Sequence, residues 1–158
     1  MNETTRLGTS ADLDLLEDFV ALGVAEQTEN KGGGIWSRRE TPSPPFRASI
    51  EAVLHDPDQE VIIGLIDEVP VGYAVVGVEL LRSGDVLGRV SQIWVDPEAR
   101  EVGVGEALIV HVIEWCQARK CVGIDSMALP GNRNTKNFFE TFGFKARLLV
   151  VHHSLEEN

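Results

Sequence analysis

Val90-Ser91-Gln92-Ile93-Trp94-Val95-Asp96-Pro97 leads into Arg100-Glu101-Val102-Gly103-Val104-Gly105, and an apolar, helix-periodic run follows from Ala107 to Cys116. The first stretch reads as a strand closed by Asp96-Pro97, and the last as a helix. A strand, a short turn and a glycine-bearing helix start together make an anion site. The first N–H groups of a helix have no internal partner, and the helix dipole adds partial positive charge there. Gly103 and Gly105 carry no Cβ, so a phosphate group can come close to the backbone. Gly105→Val is therefore expected to set two methyl groups where phosphate oxygens would lie. The pattern points to a phosphorylated ligand.

Which ligand depends on the motif. No G-x-x-x-x-G-K-[ST] string occurs, and G-x-G-x-x-G would need glycine at Leu108 together with a βαβ repeat. Both facts weigh against a nucleotide triphosphatase or a dinucleotide-binding enzyme. A strand followed by R-x-x-G-x-G and a helix instead resembles the acyl-CoA signature of the GNAT superfamily of N-acyltransferases. A second segment, Asn132-Arg133-Asn134-Thr135-Lys136-Asn137-Phe138-Phe139-Glu140-Thr141-Phe142-Gly143-Phe144, is similar to that superfamily's N-x-x-A-x-x-(F/L)-Y-E-x-x-G-F. Asn132, Phe138, Glu140, Gly143 and Phe144 fall in register. Thr135 replaces the usual alanine, and Phe139 replaces the usual tyrosine.

Composition narrows the partners. With 158 residues the chain is long enough for one domain, residues 1–158, with a buried core. Its formal charge of -11 repels nucleic-acid phosphates and gathers cations such as amines. Cys116 and Cys121, five apart, match neither a zinc quartet nor a disulfide framework, so no metal is expected and both read as free thiols. The N-terminal residues lack the basic and apolar regions of a secretion signal, and the apolar run over residues 61–66, like every other, is far short of a membrane span. A cytoplasmic monomer or homodimer that binds neither membrane nor nucleic acid is the expectation.

Along the chain, residues 5–8 read as a first strand, and Ser10 offers an N-cap before a helix carrying Leu13, Leu16, Phe19 and Val20. Residues 28–47 break the pattern with glycines and prolines and read as a long loop. A short helix over 49–55, hairpins over 60–81 and around Ser83-Gly84-Asp85, a helix over 103–119, a strand over 123–128, a helix over 134–142 and a last strand over 145–153 complete the order. The expected fold is a mixed α/β (α+β), mostly antiparallel sheet of about six to seven strands flanked by about four helices.

The resemblance implies acetyl-CoA as co-substrate and a primary amine of a small molecule or protein as acceptor. It assigns the coenzyme to Ile93, Trp94, Val95, Arg100, Glu101, Val102, Gly103, Val104, Gly105, Glu106, Asn132 and Phe139. Backbone amides from Val102 to Gly105 would cradle the pyrophosphate, and an N–H between Ile93 and Val95 would polarise the thioester carbonyl. The family's acceptor cleft falls on the 28–47 loop, which makes Trp36, Arg38 and Arg39 candidates for acceptor contact. Tyr73 is a further candidate on a strand, where a core role competes.

Proton transfer is less well provided for. Many relatives carry a glutamate at the position of Arg89, which cannot act as a base. Glu79, on the same strand face as Tyr73 and opposite Arg89, is the candidate base, and a cross-strand salt bridge is its competing role. Phe139 lacks the hydroxyl that the family's tyrosine gives to the CoA sulfur, which leaves water or Ser126 as donor. It also leaves open a second reading, a non-catalytic or weakly catalytic acyl-CoA-binding or sensing protein. His111, in phase with Leu108 and Trp115, reads as a packed histidine.

Overall fold

Two adjacent residues in left-handed conformation, Asp67 at φ 47° and Glu68 at φ 70°, close a tight turn between β2 (Gln59–Ile66) and β3 (Val69–Leu80). Around this hairpin a computed structural model, describing residues 2–157, builds a single five-stranded sheet in the order β1-β2-β3-β4-β5. β1 (Glu3–Leu7) lies antiparallel to β2 and β4 (Val86–Val95) antiparallel to β3, while β5 (Gly123–Asp125) runs parallel to β4.

Alternate residues of β2 and β3 feed two cores. Val61, Ile63, Tyr73 and Val75 pack with Trp94 beneath α1 (Leu13–Thr28) and α3 (Phe46–Leu54), against Leu16, Phe19, Val20 and Ile50. Ile62, Ala74, Val76 and Val90 face α4 (Val104–Ala118) and its Val104, Leu108 and Val112. Both faces of the central strands are therefore covered, which is why residues 61–66 read as an unbroken apolar run. Val104, Leu108, Ile109 and Val112 are fully buried, each worth about 1.5–3 kcal/mol against exposure. Gly64 lets α4 sit this low, since a Cβ there would lie 2.7 Å from Cγ1 of Val104. α5 (Arg133–Thr141) follows β5.

The structure departs from expectation in three places. The 28–47 segment holds a two-turn helix, α2 (Gly33–Arg39), packed back on the end of α1 with Gly33 buried. The sheet has five strands, because β5 stops at Asp125 and residues 145–153 form no strand. The first helical turn is capped by Thr9 rather than Ser10, in a reciprocal box with Asp12.

Candidate active site

β4 pairs with β3 along its length but with β5 only at Leu87, Gly88 and Arg89. Beyond that point its outer edge is open. Gly72 and Ala74 stand opposite Val95 and Ile93, and the N–H of Asp96 donates to the carbonyl of Val71 at 2.8 Å. That ladder phase turns the N–H and C=O groups of Ile93 and Val95 away from β3, towards the open edge. A bulge helps to splay the strand: Gln92 faces Val75 and Val90 faces Val76, which leaves Ser91 without an opposite residue.

The edge leads directly to a helix start. Asp96 accepts a bond from the N–H of Glu98 at 2.9 Å and opens the short 3-10 turn Pro97–Ala99. Two left-handed residues follow, Glu101 at φ 72° and Gly103 at φ 92°. Gly103 is the N-cap of α4 and supplies no side-chain cap, and the first amide bonded within the helix is that of Ala107, to the carbonyl of Gly103 at 3.0 Å. The amides of Val104, Gly105 and Glu106 precede it, as the first amides of a helix that have no partner within it. One neighbour opposes that charge: the Glu3 carboxylate reaches to 3.6 Å of the position a Cβ would take on Gly103.

Gly105 has a packing role that its sequence position does not announce. A Cβ there would lie 3.0 Å from the ring of Phe138, so the missing side chain makes room for α5.

Arg100 likewise turns away from the helix start. Its Nε donates to the carbonyl of Val95 at 2.8 Å, and both terminal nitrogens meet the Glu26 carboxylate at 2.8 Å. Glu26 also accepts the indole N–H of Trp94 at 3.0 Å. The Arg100 guanidinium, and secondarily the Trp94 N–H, hold the Glu26 carboxyl below its usual range against the opposing effect of burial. Trp94 itself is buried beside Phe19, with ring centroids 5.1 Å apart. Glu26 thus ties α1 to β4 and the loop. Its partners lie 68 and 74 residues away in sequence, so no local pattern announces it.

The remaining candidates fall in several places. Asn132 caps α5, accepting the N–H of Thr135 at 3.1 Å and donating to the side chain of Gln27 at 3.2 Å. Phe139 is buried between Phe138 and Phe144, with centroids 5.4 and 5.1 Å apart. Tyr73 is a core residue whose hydroxyl donates to Gln92 at 2.7 Å, and burial pushes its pKa well up. Ser126 lies half-buried in the extended chain after β5.

Trp36, Arg38 and Arg39 share α2, where Arg38 pairs with Glu156 at 2.7 Å and Arg39 pairs with Glu40. Glu79 stands 3.8 Å from Arg89 as an exposed ion pair. It lies opposite Leu87, and Ile93 is six positions further on, about 20 Å along β4. That spacing sets Glu79 well away from the open edge and weighs against its candidacy as base. Asp125 of β5, in register with Arg89, is clamped by Arg147, which lowers its carboxyl below the usual range.

Known proteins are similar to this chain. A Trypanosoma brucei brucei glucosamine 6-phosphate N-acetyltransferase is 31% identical over 65 residues, a match that covers 41% of this chain and 42% of that protein's length. Among solved structures, a tetramutant of the BH1408 protein from Bacillus halodurans superposes with TM-score 0.81 at 18% identity, covering 96% of this chain and 99% of that one. The structure of AAC(6')-Iy in complex with a CoA-linked bisubstrate analogue superposes with TM-score 0.71 at 19% identity, over 99% of both chains. Identities this low establish the shared fold. The Acetyltransferase (GNAT) family pattern matches residues 24–144, which contain the open edge of β4, the left-handed loop and the start of α4, and the chain belongs to that family.

Proposed function

We propose that this protein transfers an acetyl group from acetyl-CoA to a primary amine of a small molecule or protein, by direct attack in a ternary complex. The observation that carries the reading is the continuity of the Ile93 and Val95 edge with the uncapped start of α4 through Gly103. An extended pantetheine arm fits the open edge as an added strand would, and a pyrophosphate fits the amides of Val104, Gly105 and Glu106.

In the reaction the amine nitrogen forms a bond to the thioester carbon and the C–S bond breaks, with CoA leaving as a thiolate that takes its proton from water. An outward N–H of β4 stabilises the oxygen that gains charge, and the amine's proton leaves to water. The absence of a membrane-length apolar helix among the described residues and the two free thiols agree with a cytoplasmic setting. The AAC(6')-Iy complex, with its CoA-linked analogue, supports the same co-substrate class.

The test is thiol release from acetyl-CoA across an amine panel, with mass spectrometry of the acceptors. Acetylated amine in step with free CoA is expected. Tight CoA binding with no turnover on any amine would instead favour the acyl-CoA-binding reading, to which the buried Phe139 lends its one observation.

A further inference from the structure

The end of α4 brings the chain's two cysteines together. The amide of Cys121 donates to the carbonyl of Cys116 at 3.1 Å, and that of Lys120 to the carbonyl of Gln117 at 3.0 Å, around a left-handed Lys120 at φ 57°. Those two bonds make a Schellman ending, in which the second residue past the cap folds back against the last turn of the helix. Here the residues that meet are Cys121 and Cys116. With standard backbone dimensions the bond between them sets their Cα atoms about 5–6.5 Å apart, within the span of about 4.4–6.8 Å that a disulfide bridges. Both side chains pack in the core beneath α4, Cys116 fully buried and Cys121 half-buried.

Their surroundings give the two sulfurs different tasks. Cys116 is pressed against the sheet: a Cβ on Gly88 of β4 would lie 2.6 Å from its Sγ, which leaves little room for an adduct. Burial, and after it the neighbouring Cys121 sulfur, pushes the Cys116 thiol up to about 12 and keeps it from attacking first. Cys121 is the thiol that solvent reaches. It directly follows Arg119 and Lys120, whose charges favour the approach of an anionic disulfide to a chain of net charge -11.

We propose that Cys116 and Cys121 form a redox modification site that takes a low-molecular-weight disulfide, such as glutathione disulfide, and closes into an internal disulfide in the folded protein. The Cys121 thiolate attacks the glutathione disulfide, forms a mixed disulfide and releases one glutathione. Cys116 then loses its proton, and its sulfur attacks Sγ of Cys121, forming the internal bond and releasing the second glutathione. Two thiols are oxidised, one disulfide is reduced, and each departing glutathione thiolate takes up a proton. The second step is intramolecular, which offsets the small thiolate fraction of Cys116. The bond ties α4 to the lead-in of β5, whose pairing with β4 at Leu87, Gly88 and Arg89 ends where the open edge begins.

The test is peptide mass mapping of reduced, folded protein after exposure to excess glutathione disulfide. A Cys116–Cys121 bridge with no glutathione retained is expected, with unchanged circular dichroism and full return to the dithiol under dithiothreitol. Cys116→Ala removes the resolving sulfur and is expected to hold glutathione on Cys121, while Cys121→Ser is expected to stay unmodified. Wild type that stays reduced, keeps a glutathione adduct, or forms the bridge only as its circular dichroism is lost would overturn the proposal. So would an unmodified Cys116→Ala, or glutathione on Cys116 in folded Cys121→Ser. The wild-type map decides the bridge by itself, so a variant that fails to fold does not shield the proposal.

Discussion

Gly103 and Gly105 stand two residues apart, and the structure separates their roles. Gly103 sits at φ 92°, a conformation that costs an L-residue about 1–2 kcal/mol, and it borders the free amides of α4. Gly103→Ala is expected to lower CoA affinity by calorimetry and to lower the unfolding temperature modestly. Gly105→Val, by contrast, drives methyl groups into the Phe138 ring, an overpacking that costs about 1–3 kcal/mol. Its main effect should be on thermal unfolding. Retained stability with abolished CoA binding would reverse the two assignments. Phe139 carries a further prediction. Its ring is enclosed by Phe138 and Phe144, so Phe139→Tyr buries a hydroxyl among apolar rings at a cost of about 1–3 kcal/mol. The variant should unfold at a lower temperature and turn over no faster. A rise in kcat would show that the restored hydroxyl reaches the sulfur and that its protonation limits the rate.

At the scale of elements, Glu26 is the contact that makes α1, β4 and the loop before α4 one unit. Glu26→Gln keeps the shape and removes the charge that holds Arg100. Both partners are more than a third exposed, so the ion pair contributes about 0.2–1 kcal/mol, and a rise of up to about fivefold in the KM for acetyl-CoA is expected with little change in kcat. The pH dependence has a definite sign. Because the Glu26 carboxyl is held below its usual range, the clamp is complete above that range and opens as pH falls through the lowered value. Wild type should therefore approach Glu26→Gln in acid and differ from it most near neutrality, and a difference that grows in acid would exclude this coupling. None of this is visible along the chain, since each partner of Glu26 arrives from another element. The parts that were legible are those whose signals are local. β4, the Gly103 turn, α4 and α5 declared themselves by alternation, positive-φ glycine and helical period, and the structure has each within a few residues of its expected bounds. α2 was hidden in a glycine-rich segment because its helix forms by packing on the end of α1, which tertiary contact decides and propensity opposes. The 145–153 segment failed in the opposite sense. Its residues favour a strand, but propensity alone does not make one, and the segment forms no ladder with the edge strand β5.

Across the whole molecule two electrostatic effects on the acceptor compete. The net charge of -11 gathers cations, which favours lysine-like and polycationic amines in the encounter. The chemistry then requires a neutral amine. An alkyl amine with pKa about 10.4 costs about 4–5 kcal/mol to deprotonate at pH 7, while an α-amino group with pKa about 7.7–8.0 costs only about 1–1.5 kcal/mol. A strong base would erase that difference, and the carboxylates tied to the two strands are poorly suited to the task. Glu79 is paired with Arg89 far along β4, Glu26 is clamped by Arg100, and Asp125 is clamped by Arg147, the last two with carboxyls below their usual range. Lowering a carboxyl in this way weakens it as a proton acceptor. The local effect outweighs the global one, because steering changes how often an amine arrives and the proton must leave in every turnover. Weakly basic amines should therefore be preferred acceptors, with kcat/KM climbing with pH towards the acceptor's own pKa. The measurement is kcat/KM against pH for paired α-amino and ε-amino substrates in wild type and Glu79→Gln. Equal profiles in the two proteins are expected, with the α-amine ahead at neutral pH. Fast ε-amine acetylation at neutral pH in both would point to a base other than Glu79, and a loss of activity confined to Glu79→Gln would return that residue to the site.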